Sequence, residues 1–485
     1  MALVIAIDAG TTGCRVIGFD QELHILAQYY EEVPQYHPQP GWVEQDPRDI
    51  LRIVRSGLRQ VIEKLPEAPA AIGIANQRET VAVWDADTGE PLHNAIVWQC
   101  RRTADYCGKL RKAGYEALIR ERTGLVVDPY FSATKLRWIL DHVPGARSAA
   151  DAGCLRAGTV DTWLVERLTG DFATDPSNAC RTLLYRLDTG SWDAELLHLF
   201  GISQAMLPTI LSSDAHFGDT RAEEVGAVVP IHAVLGDQQA ALFSHGGWDP
   251  NVVKNTYGTG LFMMRSTGHE LAKESDLLRT VAWHMNDRST YALEGAAFIG
   301  GAAMQWLRDG LGILADVAES ATMARRVPDN GGVYFVPALV GLGAPWWDPH
   351  ARGTLIGMTQ GSKADHVVRA VLESMAYQTR ALVDAMGPRP ARMRVDGGAT
   401  ANDFLMQFQA DLLGIPVERP RILESTALGA AAAAGIAANV WSRESFYQAH
   451  RVERVFEPAT SDVDVDALFA TWQEAVSRSR SWATS

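Results

Sequence analysis

The chain predicts an α/β fold built as two domains of related plan, each a mixed sheet flanked by helices, on three observations. Short β-prone runs alternate with helix-period segments along most of the sequence. At 485 residues the chain is long for one core and comfortable for two. The opening stretch "VIAIDAGTTGCRVIGFD" is echoed near the midpoint by "VVKNTYGTGLFMMRS" (252–266), and both read as strand, Gly/Thr turn, strand.

In chain order the β-type runs are "LVIAI", "RVIGFD", "AAIGIAN", "TVAVWD", "NAIVW", "IHAVLGD", "VVKNTYGTGLFMM", "RMRVDGG" and "IPVERP". Helix periodicity marks 132–143, 365–386 and 401–413. After "IHAVLGD" a helix starts at Gln238, and Gly246, Gly247 and Pro250 break it. The division between domains is therefore expected near residue 245, giving 1–245 and 246–485. The Ala-rich stretch 427–441 falls short of the roughly 20 residues a membrane span needs and predicts a packed helix.

Hydrophobic residues make up 47% and charged residues 21%, a globular composition. The formal charge is −14, with no basic cluster interleaved with aromatics, so nucleic acid is not an expected partner. The five cysteines form no CxxC pair and predict reduced thiols in a cytoplasmic protein, without a zinc site. "MALVIAIDAG" has no basic leader before its apolar run, and no membrane insertion is expected.

The first hairpin carries chemistry. Gly10 lets backbone amides approach an anion, and Thr11 and Thr12 add hydroxyl donors, so a phosphate suits the tip. Asp8, at the end of the first strand, could hold a Mg²⁺ that bridges phosphate oxygens. Arg15 supplies positive charge for a transferring phosphoryl group. Taken alone, this is also how an ordinary solvated hairpin reads. "YGTG" (257–260) offers a second Gly/Thr cradle, and two cradles across a cleft make a nucleotide clamp.

"DAGTTGCR" resembles the first phosphate hairpin of the actin-like ATPase superfamily and, within it, of the FGGY carbohydrate kinases. "GWVEQDP", "NQRET", "NAIVWQCRRT", "TGLVVDPYFSATK", "GDQQAALF", "KNTYGTG", "VPALVGLGAPWWDP" and "RVDGGATANDFLMQFQADLL" extend the resemblance almost end to end, toward the branch that phosphorylates glycerol. The fold this implies is two duplicated ribonuclease H-like domains with the active site in the cleft between them. The activity implied is transfer of the γ-phosphoryl of ATP to glycerol, giving sn-glycerol 3-phosphate and ADP.

By that resemblance Asp237 is the general base, although by position it also reads as a helix N-cap. Arg78, Glu79, Tyr130 and Gln238 bind glycerol, and Trp98 and Phe262 flank its carbon backbone. Without the resemblance, Arg78 and Glu79 read as a surface pair and the two aromatics as core packing. Thr11, Thr12, Gly13, Arg15 and Thr259 are assigned to phosphate. Gly301 with Gln305, and Gly398 with Asn402, are assigned to adenosine and the inner phosphates, where glycines at strand-to-helix junctions present free amides. Asp8 and Asp237 are the Mg²⁺ residues, and a homodimer or homotetramer is the expected assembly.

The hairpin departs from the commoner family form at Ala9, Gly13 and Cys14, where relatives carry Gln and a Ser pair. The segment 217–233 carries Glu223 and Glu224 in place of a basic Gly-rich loop. Two other readings are a kinase for another small polyol or triose, such as erythritol or dihydroxyacetone, and an actin-like ATPase with no small-molecule acceptor.

Overall fold

The computed structural model describes residues 2–273, 275–459 and 464–483. Its first large sheet holds β1 (Val4–Ala9), β2 (Gly13–Phe19), β3 (Ile25–Glu32), β4 (Ala71–Asn76) and β5 (Ile231–Gly236) in the order β5-β4-β1-β2-β3. β1, β2 and β3 pair antiparallel, while β4 and β5 add parallel to β1.

The second sheet holds β6 (Val252–Tyr257), β7 (Leu261–Gly268), β8 (Leu278–Met285), β9 (Arg288–Ala297), β10 (Arg392–Asp396), β11 (Val417–Pro420) and β12 (Val452–Phe456). Its order is β8-β9-β7-β6-β10-β11-β12. The run β9-β7-β6-β10-β11 repeats the first sheet strand for strand: two antiparallel pairs, then two parallel ones. The echoed hairpins are thus the first two strands of two equivalent sheets.

Helix α1 (Pro47–Lys64) begins where Asp46 accepts a hydrogen bond from Arg48 N, with Pro47 in its first turn. Its apolar stripe, including Ile50, Val54, Leu58 and Val61, is buried against β2 and β3. The predicted helices appear at Ser132–His142, Ala364–Ala385 and Asp403–Leu413. A separate four-stranded sheet of short strands extends the first half, with Val81–Asp85 inside it and Leu155–Thr159 at one edge; its two-residue strands Glu44–Gln45 and Ala95–Ile96 are too short to leave a periodic pattern.

Helix α2 (Asp237–Ser244) follows β5 directly. The Ala-rich segment forms α3 (Ser425–Ala437), buried on nearly all sides against α2, β1, β4 and β5. That contact is backbone-close: a Cβ on Gly73 would lie 2.0 Å from the Ala430 carbonyl oxygen, and one on Gly429 would lie 1.8 Å from that of Ala240. Small residues on both faces permit the approach. Residues after 245 therefore also cover the first sheet.

Candidate active site

The parallel strands β1, β4 and β5 end at one edge of the first sheet, and each delivers charged groups there. Asp8 sits near the end of β1, Arg78 and Glu79 follow β4, and Asp237 follows β5. Asp237 is the first residue of α2, whose N-cap is Gly236, so its side chain does not cap the helix. Its Oδ1 accepts from Gln238 N at 2.7 Å and lies 3.2 Å from Arg78 Nε. No hydrogen bond engages its Oδ2 among the described residues, and the side chain is 27% exposed.

Burial raises the Asp237 carboxyl to about 6, opposed first by the Arg78 charge and assisted by Glu79. Burial raises Asp8 to about 7, with Asp237 the next cause and Arg15 opposing.

Arg78 and Glu79 are each 2% exposed, which removes the surface-pair reading. Arg78 Nη1 donates to Glu294 Oε2 at 2.6 Å and its Nη2 to Glu294 Oε1 at 3.0 Å and Tyr130 Oη at 3.3 Å. Arg181 Nε donates to Glu79 Oε1 at 2.8 Å, and Arg181 Nη2 to Glu294 Oε1 at 3.0 Å. Trp98 meets Tyr130 edge-on at 5.5 Å between ring centroids and Phe262 at 6.3 Å, so three aromatics from separate segments form one wall. Phe262 comes from β7, in the second half. Gln238 accepts from the buried Lys254 Nζ, which also donates to the Phe262 carbonyl at 3.4 Å. Every residue assigned to the acceptor by resemblance therefore lies in one connected cluster.

The same wall reaches the first hairpin, because Trp98 Nε1 donates to Thr11 Oγ1 at 2.8 Å. Gln45 Nε2 donates to the Thr11 carbonyl at 2.7 Å and Gly10 N to the Gly13 carbonyl at 3.1 Å, which fixes the tip and leaves Thr12 exposed. Gly13 has a steric reason: a Cβ there would lie 2.7 Å from both the Tyr30 ring and the Glu31 carbonyl oxygen. Arg15 is held by Glu424 at 2.9 Å and stacks 5.2 Å over Tyr30. Cys14 is buried, and desolvation pushes its thiol well up, which makes it inert.

At the second hairpin Thr259 is exposed. Here the expectation of free amides at Gly301 fails. Gly300 N and Ala302 N donate to the Thr259 carbonyl and Gly301 N to that of Gly258, so these amides brace the hairpin. Gln305 is exposed on the helix Ala302–Asp309, its backbone N bonded to the Gly301 carbonyl. Asn402 also differs from expectation: Oδ1 caps the helix Asp403–Leu413 through Leu405 N, and Nδ2 donates to Ser320 Oγ. These two bonds give its side chain a structural role and leave its second N–H and second lone pair to other partners. Gly398 faces open space, since a Cβ there would meet nothing within 4 Å.

Arg181, Lys254, Glu294 and Glu424 escaped the sequence reading. Lys254 stands inside the quoted "KNTYGTG", but nothing in a strand sequence marks a lysine as buried. The other three become recognisable only once distant segments meet. A cavity of about 340 Å³ on α1, lined by Arg48, Arg52, Arg55, Arg59, Arg167 and Glu224, shares no residue with this cluster.

A family model for the N-terminal domain of the FGGY family of carbohydrate kinases matches residues 3–244, and one for the C-terminal domain matches residues 253–438. The chain is 52% identical over 492 residues to a protein of Symbiobacterium thermophilum named glycerol kinase, covering 99% of each. It is 50% identical over 493 residues to Thermotoga maritima glycerol kinase 2, again covering 99% of each. Among solved structures, Plasmodium falciparum glycerol kinase with ADP superposes with a TM-score of 0.93 at 34% identity, covering 99% of this chain and 98% of that one. Xylulose kinase from Lactobacillus acidophilus shares the fold, with a TM-score of 0.86 at 22% identity, covering 99% and 97%. With both domains matched and relatives aligned along nearly the whole sequence, the chain belongs to the FGGY family of carbohydrate kinases.

Proposed function

We propose that the chain phosphorylates glycerol, transferring the γ-phosphoryl of ATP to a terminal hydroxyl to give sn-glycerol 3-phosphate and ADP, with Asp237 as general base. The observation that carries this reading is Asp237 itself: Oδ1 is fixed by Gln238 N and faces Arg78 Nε at 3.2 Å, while Oδ2 carries no hydrogen bond among the described residues. A neutral hydroxyl must lose its proton as its bond to phosphorus forms, and Oδ2 is the group placed to take it. Arg78, Glu79, Tyr130 and Gln238 meet the polyol hydroxyls, while Trp98 and Phe262 cover the carbon chain. A site that pairs each hydroxyl with a buried polar group discriminates against acceptors that leave one unpaired.

Thr11, Thr12, Gly13 and Arg15 hold phosphate from the first half, and Thr259 holds it from the second. Gly398, open on its Cα, with Asn402, and Gly301 with Gln305, are proposed for the adenosine side. Asp8 and Asp237 fit Mg²⁺, since they offer only carboxylate oxygens and burial leaves Asp8 short of a counter-charge. When bound, that ion neutralises charge on the β- and γ-phosphates.

The proposed domains are 1–245 and 246–485, supported by the repeated sheet order. Closure of the two over both substrates would exclude water from the phosphoryl group. A homodimer or homotetramer is proposed from the family resemblance, and sedimentation would decide it. A cytoplasmic location is supported by five unpaired cysteines. Among the described residues no helix is long and apolar enough to cross a membrane.

ADP release from MgATP with glycerol, erythritol, dihydroxyacetone, xylulose or no acceptor tests the reading. Turnover strongest with glycerol supports it, and equal ADP release without acceptor overturns it.

A further inference from the structure

Arg78 has five N–H donors. Four are accounted for within the protein: Nη1 donates to Gln239 Oε1 at 3.2 Å and Glu294 Oε2 at 2.6 Å, and Nη2 donates to Tyr130 Oη at 3.3 Å and Glu294 Oε1 at 3.0 Å. Only Nε is buried without a hydrogen-bond partner among the described residues, although it lies 3.2 Å from Asp237 Oδ1 and 3.6 Å from Glu79 Oε1. A buried donor without a hydrogen-bond partner is unfavourable, and an incoming hydroxyl oxygen would accept from it.

What turns Nε toward the reacting side is Glu294. It is fully buried on β9, in the second half of the chain, and grips both terminal nitrogens of Arg78. A two-pronged contact fixes the plane of a guanidinium, which a single hydrogen bond does not. Arg181 also donates to Glu294 Oε1, and through Nε it holds Glu79. Two arginines thus share two glutamates, and their charges, with that of Lys254, hold the Glu294 carboxyl down against its burial, so it stays ionised.

We infer that Glu294 is a positioning residue for acceptor selectivity: by occupying both terminal nitrogens of Arg78 it leaves Nε alone to read one hydroxyl, so a residue of the second half sets discrimination in a pocket formed mainly by the first. This rests on the glycerol reading given above.

The test compares kcat/KM for glycerol with that for propane-1,2-diol and propane-1,3-diol, each of which lacks one hydroxyl, in the unaltered protein, Glu294→Gln and Glu294→Asp. In Glu294→Gln the preference for glycerol over one of the two diols is expected to fall at least tenfold, with KM for ATP changed less than twofold. Glu294→Asp keeps the charge on a shorter arm. It guards against failure of Glu294→Gln to fold, and a fall of about threefold is expected. Equal losses on all three acceptors, or an unchanged ratio in folded Glu294→Asp, would overturn the inference while leaving glycerol phosphorylation standing. Absence of glycerol turnover in the unaltered protein would overturn both.

Discussion

Arg15 and Glu424 lie 409 positions apart in sequence, yet Arg15 Nη1 donates to Glu424 Oε1 at 2.9 Å. One comes from the first hairpin and the other from the residue preceding α3, so the ion pair ties the proposed phosphate hairpin to the second half. Both side chains are about a third exposed, at 31% and 33%. Screening limits such a pair to about 0–1 kcal/mol of stability, so its importance is orientation. Glu424→Gln is expected to leave the melting temperature within about 2 °C and to lower kcat several-fold. Arg15→Ala should lower kcat on the order of 10²–10³-fold, in keeping with the loss of a cation at a transferring phosphoryl group. Steady-state kinetics and thermal melts of the two variants check both expectations.

Activity should depend on pH through Asp237. Burial raises its carboxyl to about 6, and the base acts only when ionised, so the active fraction falls as pH drops through that value. The kcat/KM for glycerol is expected to be flat near neutrality and to fall about tenfold per pH unit below about 6. A profile extending unchanged to pH 4.5 would remove Asp237 from the role.

Stability should depend on pH through a different group. His450 is 8% exposed, and burial, with the charges of His245 and Arg394, holds its ring down to about 3. Its folded value lies below its unfolded one, so its contribution is complete above about 6.5 and is lost as pH falls below that. Between pH 7.5 and 5 the loss from this group is about 2 kcal/mol. Urea unfolding of His450→Gln is expected to give a weaker acid destabilisation than the unaltered protein across that interval.

The contact of α3 with α2 should tolerate no added methyl. Gly429→Ala would bring a Cβ to 1.8 Å from the Ala240 carbonyl oxygen, a backbone atom that cannot rotate away. Overpacking of this kind costs about 1–3 kcal/mol. Denaturant unfolding should show a lower midpoint, and Ala432→Gly in the same helix, which relieves no clash, provides the comparison at about 1 kcal/mol.

Sequence patterning made the two hairpins legible because short β-prone runs and Gly/Thr turns are local signals. The same holds for β4 and β5, and for Asp237 at a strand-to-helix junction. Arg78 and Glu79 were legible only by resemblance; their burial depends on Glu294 and Arg181, residues 216 and 102 positions away. The free-amide expectation at Gly301 failed because the Gly258 and Thr259 carbonyls, which needed donors of their own, use those amides. Asn402 stands directly before a helix, and its capping of Leu405 N is a second role that the resemblance does not announce. Close packing through Gly73 and Gly429 leaves no sequence mark beyond small residues.

The most direct measurement is single-turnover formation of glycerol 3-phosphate from MgATP by Asp237→Asn, set beside its glycerol affinity by calorimetry. The expected result is glycerol binding within about threefold of the unaltered protein and a transfer rate lower by on the order of 10²–10⁴. Transfer at an undiminished rate by the folded variant would contradict the assignment of Asp237 as the base.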